Sequence, residues 1–296
     1  MKLLCALSLL CLAAHAAPDH AALEALGCKL VVKQGTLTEL TVDTKAFSAN
    51  DFKLIGQCTS LKKLTLSGST LTDETLPLLA GLTELEDLST NGSHLTDAGY
   101  KHFAAFQNLR SLALWHPSFG FEGFTGSGVA ELKALPKLER LTVAGSSAGD
   151  TLLAAIGELT QIKEFSTWHT AQTQAGNAHL AKLTHLKRLR MGQRLPKWGT
   201  APAPSFDAST IPLIAKLPAL ETFEIMEAVF TANDLMPLKV ATALKELKIS
   251  GTAISEADVA ALRAALPHVK IDHKPLTAED RESTLVKKLK LLPSSK

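Results

Sequence analysis

The sequence predicts an α/β solenoid, a stack of strand-and-return units whose parallel strands line one face and whose short helices line the other. Three observations predict it. In the stretch 61–84, LKKLTLSGSTLTDETLPLLAGLTE, alternation turns Leu64 and Leu66 to one side of a short strand and Lys63 and Thr65 to the other. The same pattern restarts at Leu37, Leu61, Leu85, Leu109, Leu138, Ile162, Leu186, Leu220 and Leu244; most starts are 24 residues apart, and the units beginning at Leu109 and Leu186 run 29 and 34. One such unit has an apolar face it cannot cover alone, so it is stable only when stacked against copies of itself.

Within the unit, Leu61, Leu64 and Leu66 mark the strand and Ser67-Gly68-Ser69 ends it. Thr72 or Asp73 then offers a side-chain oxygen to unpaired helix amides, and Leu76, Leu79 and Leu82 recur every three residues, as on a tight helix or 3₁₀ segment. The second and third strand positions repeat as Leu40/Val42, Leu88/Thr90, Leu112/Leu114, Leu141/Val143, Phe165/Thr167, Leu189/Met191, Phe223/Ile225 and Leu247/Ile249. A generic αβ protein with leucine-rich helices does not hold such a register through the middle of the chain.

The phrases LSGSTLTDETLPLLAGLTELEDL and HLTDAGYKHFAAFQNLRSL resemble the "T-D-a-g-L" leucine-rich repeats of secreted proteins from planctomycete-like and verrucomicrobial bacteria, and are similar in cadence to the solenoids of F-box proteins. The resemblance covers Leu37 to Ile271. It implies a leucine-rich repeat solenoid with a curved parallel sheet on the concave face and short helices on the convex face. It specifies function hardly at all, because such repeats are recognition scaffolds with differing partners. No F-box segment is present.

Met1 to Ala16 carries one early positive charge at Lys2, an apolar run from Leu3 to Ala14, and Ala14-His15-Ala16 as an A-x-A cleavage signal, the pattern of a secretory signal peptide cleaved near Ala16. The apolar run is short of the ~20 residues of a spanning helix. The expected location is therefore secreted or periplasmic. Residues 17–36 are expected to form an N-terminal cap, 37–271 the solenoid and 272–296 a C-terminal capping helix and tail. In the first cap, Ala22, Leu23 and Leu26 share one helix face, and the strand from Cys28 to Lys33 folds back through Gln34-Gly35-Thr36, pairing Leu30 with Leu40. At the other end, 266–271 resembles a truncated last strand. Thr277-x-x-Asp280 then opens a helix carrying Leu285, Leu289 and Leu292, with Lys287, Lys288 and Lys290 read as solvated.

Composition excludes several classes. Without Lys2 the chain has 30 Lys+Arg against 29 Asp+Glu, so bulk charge points neither to nucleic acid nor to a membrane surface. Cleavage removes Cys5 and Cys11, leaving Cys28 and Cys58; both point inward, and a disulfide is disfavoured against two buried free thiols. No C-x-x-C, G-x-S-x-G, H-E-x-x-H, P-loop or dinucleotide turn occurs, so no catalytic residue and no cofactor are predicted. Asp73, Asp97 and Asp150 recur at one repeat position, which is capping or turn chemistry.

One constellation stands apart. The two residues after the third strand position are Ser67-Gly68, Asn91-Gly92, Ala144-Gly145 and Ser250-Gly251 in ordinary units, but Trp115-His116 and Trp168-His169 in two others. With one strand between them, the tryptophans start on the order of 10 Å apart, leaving room for a planar ring or an extended chain between them. Insertions of 117–126 and 193–205 fall at the same place, bringing Phe119, Phe121, Phe124, Arg194, Lys197 and Trp198, and in repeat proteins insertions lie on one face, often the binding face. Arg190 occupies the outward slot held by Ala113, Thr142 and Ser166 in earlier units. The candidate ligand site is Trp115, His116, Trp168, His169, Arg190, Arg194 and Trp198; the alternative is that these aromatics only pack down the insertions. Two imidazoles without a third ligand make a poor metal site. The reading is a non-enzymatic, monomeric recognition protein for a protein or glycan, with a structural envelope scaffold and an unrecognised hydrolase as alternatives.

Overall fold

A computed structural model describes residues 19–118, 120–197 and 204–294. The signal-peptide segment, Phe119 and Trp198 lie outside the described residues. Eleven strands form one sheet in chain order: β1 (Lys29–Lys33), β2 (Thr36–Asp43), β3 (Lys63–Ser67), β4 (Asp87–Asn91), β5 (Ser111–Trp115), β6 (Arg140–Ala144), β7 (Glu164–Trp168), β8 (Arg188–Met191), β9 (Thr222–Met226), β10 (Glu246–Ser250) and β11 (Lys270–His273). β1 is antiparallel to β2 with Leu30 opposite Leu40; Gln34 and Gly35 both have positive φ, as a tight two-residue hairpin turn requires. From β2 onward every neighbouring pair is parallel.

Register holds without a slip across the parallel sheet. Leu40, Leu64, Leu88, Leu112, Leu141, Phe165, Leu189, Phe223, Leu247 and Ile271 lie side by side, all buried in one continuous core. The insertions therefore leave the strands untouched. This is a leucine-rich-repeat-type α/β solenoid, as the spacing predicts.

The return segments are short and often 3₁₀, as at Leu76–Leu79, Asp97–Ala105 and Ser127–Ala134. Others are α-helical, as at Ala49–Gly56 and Asp150–Gly157. A five-residue strand spans about 16 Å; eight residues of 3₁₀ helix span about the same distance, whereas eight of α-helix span about 12 Å. The recurring aspartates do more than cap their own turn. Asp73 accepts from the backbone N–H and the hydroxyl of Thr96 in the next repeat (2.9 and 2.5 Å). Asp97 accepts from Thr125 and from the N–H groups of Gly126 and Gly128, and Asp150 accepts from Thr173. Each carboxylate thus fastens one repeat to its successor.

Cys28 and Cys58 are buried free thiols. Burial pushes them up to about 11 and about 12, with smaller contributions from Asp51 on Cys28 and from Cys28 on Cys58. At the far end, Thr277 caps a helix that continues over Arg281–Lys288 and buries Leu285, Val286 and Leu289. The lysines beside it are exposed, and one of them is also paired. Lys288 Nζ reaches Glu227 Oε1 at 3.1 Å, so the closing helix also touches the rim where the strands end.

Candidate functional site

Alternation along β5 and β7 turns Trp115 and Trp168 outward onto the strand face, with Ala144 of β6 between them in the ladder. Both indoles are partly exposed. Their rings do not stand apart as the strand spacing predicts. The centroids are 5.4 Å apart with the planes at 68°, an edge-to-face contact that leaves no slot for a planar ligand. The reason lies in Ala144: its methyl is too small to hold the indoles apart, so each leans over it and removes apolar surface from water, in the geometry the ring quadrupoles favour.

Arg190 extends this cluster. Its guanidinium carbon lies 4.8 Å from the Trp168 ring centroid, and its Nε is 3.1 Å from Glu224 Oε1 and 2.6 Å from Met226 Sδ. Its charge is therefore already matched by a carboxylate, although more than a third of the side chain stays exposed. Arg194 departs further from expectation. It is 4% exposed, at the neck of the 193–205 insertion, where its N–H donates to Ser205 Oγ. Gln193 closes the same neck, donating to the Phe206 carbonyl and accepting from the N–H groups of Ser205 and Phe206. An arginine drawn inside the loop base is not available on the strand face.

The rim just beyond the strands has its own logic. At the position after the last strand residue, Gly68, Gly92, Gly145 and Gly251 have positive φ, which lets each turn leave the sheet at once. His116 (φ 46°), His169 (φ 52°) and Glu227 (φ 50°) hold the same conformation with side chains that disfavour it. Their N–H groups keep the rim ladder intact, donating to the carbonyls of Ala144, Gln193 and Ser250. His116 Nδ1 donates to Asn91 Oδ1 at 3.0 Å, and its ring lies over Gly145, where an added Cβ would stand 2.3 Å from the ring. His169 Nε2 donates to Glu227 Oε2 at 2.6 Å, and Lys288 holds the other carboxylate oxygen. Burial raises the Glu227 carboxyl, but the hydrogen bond and charge of His169 together with Lys288 outweigh it, holding it below the usual carboxylate range.

These rim residues open onto a groove of about 440 Å³ lined by Asn91, Gly92, His94, His116, Gly145, His169, Leu195 and Lys197. The 193–205 insertion thus turns its first half to this edge. The 117–126 insertion is divided: Phe124 enters the core against Tyr100, while Phe121 stacks on His94 at 5.0 Å. Sequence reading brings His116 and His169 into the candidate set but leaves out Lys197, His94, Glu227 and Lys288. For Glu227 a signal exists, since a non-glycine stands where four repeats have glycine. For Lys288 none exists, because its partner lies 61 residues away in sequence. Among the described residues no group of three His, Cys, Asp or Glu side chains is placed to hold a metal ion, and no helix is long and apolar enough to cross a membrane.

No protein-family model matches the chain, and no curated protein does. Among solved structures, a crystal structure of an internalin from Listeria monocytogenes is similar, with 20% identity over 84% of this chain and 71% of that one and a TM-score of 0.49.

Proposed function

We propose that this is a non-enzymatic, exported recognition protein that binds its partner on the strand face around the fourth to seventh repeats. One observation carries the reading: Trp115, Trp168 and Arg190 form a partly exposed cluster on the outward side of β5, β7 and β8, bridging across Ala144 of β6. Trp and Arg dominate binding hot spots. A pre-assembled cluster, fixed by the edge-to-face contact and by Glu224, loses little conformational freedom on binding. The partner is a protein docking flat on the paired indoles; a sugar ring stacked on one exposed indole face is the second reading, favoured by the same partial exposure.

The test is capture of envelope proteins and glycans by the mature chain and by its Trp115→Ala/Trp168→Ala variant. The expected result is a partner retained by the first and lost by the second, with hot-spot truncation costing on the order of 2 kcal/mol or more. A partner held equally by both, with lowered thermal stability in the variant, returns the tryptophans to a packing role.

A further inference from the structure

The rim groove is separate from the tryptophan face, and its lining is chemically one-sided. A second groove of about 440 Å³ adjoins it, bounded by Leu195, Pro196, Lys197, Lys288 and Lys290, so Leu195 and Lys197 form a wall common to both. Among the described residues, the ionisable side chains along the two grooves are His94, His116, His169, Lys197, Lys288 and Lys290, and no carboxylate lines either of them. Glu227 is the acidic neighbour. It is 15% exposed and engaged by His169 and Lys288, so it matches part of the charge of those two side chains, as Glu224 does for Arg190.

Backbone conformation gives independent support. Glycine serves the turn at Gly68, Gly92, Gly145 and Gly251, so the fold does not require a side chain there. His116 and His169 nevertheless hold left-handed φ values, and strain of this kind that the fold does not need collects at binding sites. Asn91 and Gly145 then hold the His116 ring at the rim, where it lines the groove.

We propose that the two joined grooves bind an acidic polypeptide segment of the partner, its carboxylates meeting the imidazoles and lysines in turn while its chain runs along the Leu195–Lys197 wall. This rests on the reading of the protein as a recognition module, but on different residues from the tryptophan face. Charge complementarity selects the ligand, and an extended chain is the shape that follows two grooves in series.

Fluorescence anisotropy of a labelled ten-residue poly-glutamate peptide with the full chain provides the test, with an oligogalacturonate of similar charge as competitor. Expected are saturable binding that weakens with added salt, and at least a fivefold loss of affinity in both His116→Gly and Lys290→Gln. His116→Gly removes the imidazole while giving the turn the residue that other repeats use, so its thermal stability is expected to be undiminished and lost binding is not lost folding. Binding that survives Trp115→Ala/Trp168→Ala but fails in the rim variants upholds the rim site even if the tryptophan face binds nothing. No binding, or equal affinity in wild type and rim variants, overturns the proposal. Preferential binding of the oligogalacturonate overturns the polypeptide assignment and makes the groove a site for acidic glycan.

Discussion

A side chain held at positive φ is informative because its neighbours must tolerate it as well. Gly145 is such a neighbour: its own φ is 73°, and any Cβ there meets the His116 ring. Gly145→Ala is expected to lower stability by about 1–2 kcal/mol through the left-handed backbone alone. The double variant with His116→Gly is expected to lose less than the sum, since the ring is then gone, and urea unfolding of the four proteins measures the difference. The two cysteines make a second residue-scale prediction. Burial holds both thiols far above neutral pH, so the thiolate, the reacting form, is scarce. Alkylation without reductant is expected to be slow in the folded protein and to add two groups on denaturation; an unmodified product two mass units lighter would reveal a disulfide instead.

Between repeats, the carboxylate links are the element whose energetics can be separated. In Asp97, burial works to raise the pKa, but the hydrogen bonds from Thr125, Gly128 and Ser127 prevail and leave it lowered. A lowered folded pKa means that the stabilisation is fully present above the unfolded value, about 3.9, and is lost as pH falls through the folded one. Asp97→Asn is expected to cost about 2 kcal/mol near neutrality, within the range for hydrogen bonds to a charged group. It is also expected to flatten the acid limb of a stability-versus-pH curve. An unaltered acid limb would show that Asp97 is not the group titrating there. The links also explain the adjacent pair Thr96-Asp97: Thr96 donates back to Asp73 of the preceding repeat while Asp97 accepts from Thr125 of the following one.

For the molecule as a whole, stability is close to a sum over neighbouring repeats. Leu141 lies mid-stack beneath β6, 2% exposed, and Leu141→Ala is expected to cost about 2–5 kcal/mol in the denaturation midpoint. The register of the parallel strands was legible in the sequence, because each repeat carries two alternating core positions that mark its strand even where the unit lengthens to 29 or 34 residues. What was not legible depends on side-chain reach. Backbone spacing puts Trp115 and Trp168 two strands apart, but only the size of Ala144 tells that they touch. Arg194 looked exposed because insertions generally are; its burial follows from Gln193 tying the ends of the insertion together. Contacts made by the closing helix, such as Lys288 with Glu227, join segments with no shared periodicity.

That tie has a practical consequence. Gln193 fastens the start of the insertion to Ser205 and Phe206 at its end, and β8 and β9 pair directly beneath. The chain between is a cassette with its two ends clamped at a fixed distance. The entropy of closing a flexible loop grows only slowly with length, about 0.6 kcal/mol for each doubling. Foreign sequence grafted between Leu195 and Pro204 is therefore expected to be displayed at the rim without shifting the sheet, making this repeat the natural place to give the solenoid a new specificity.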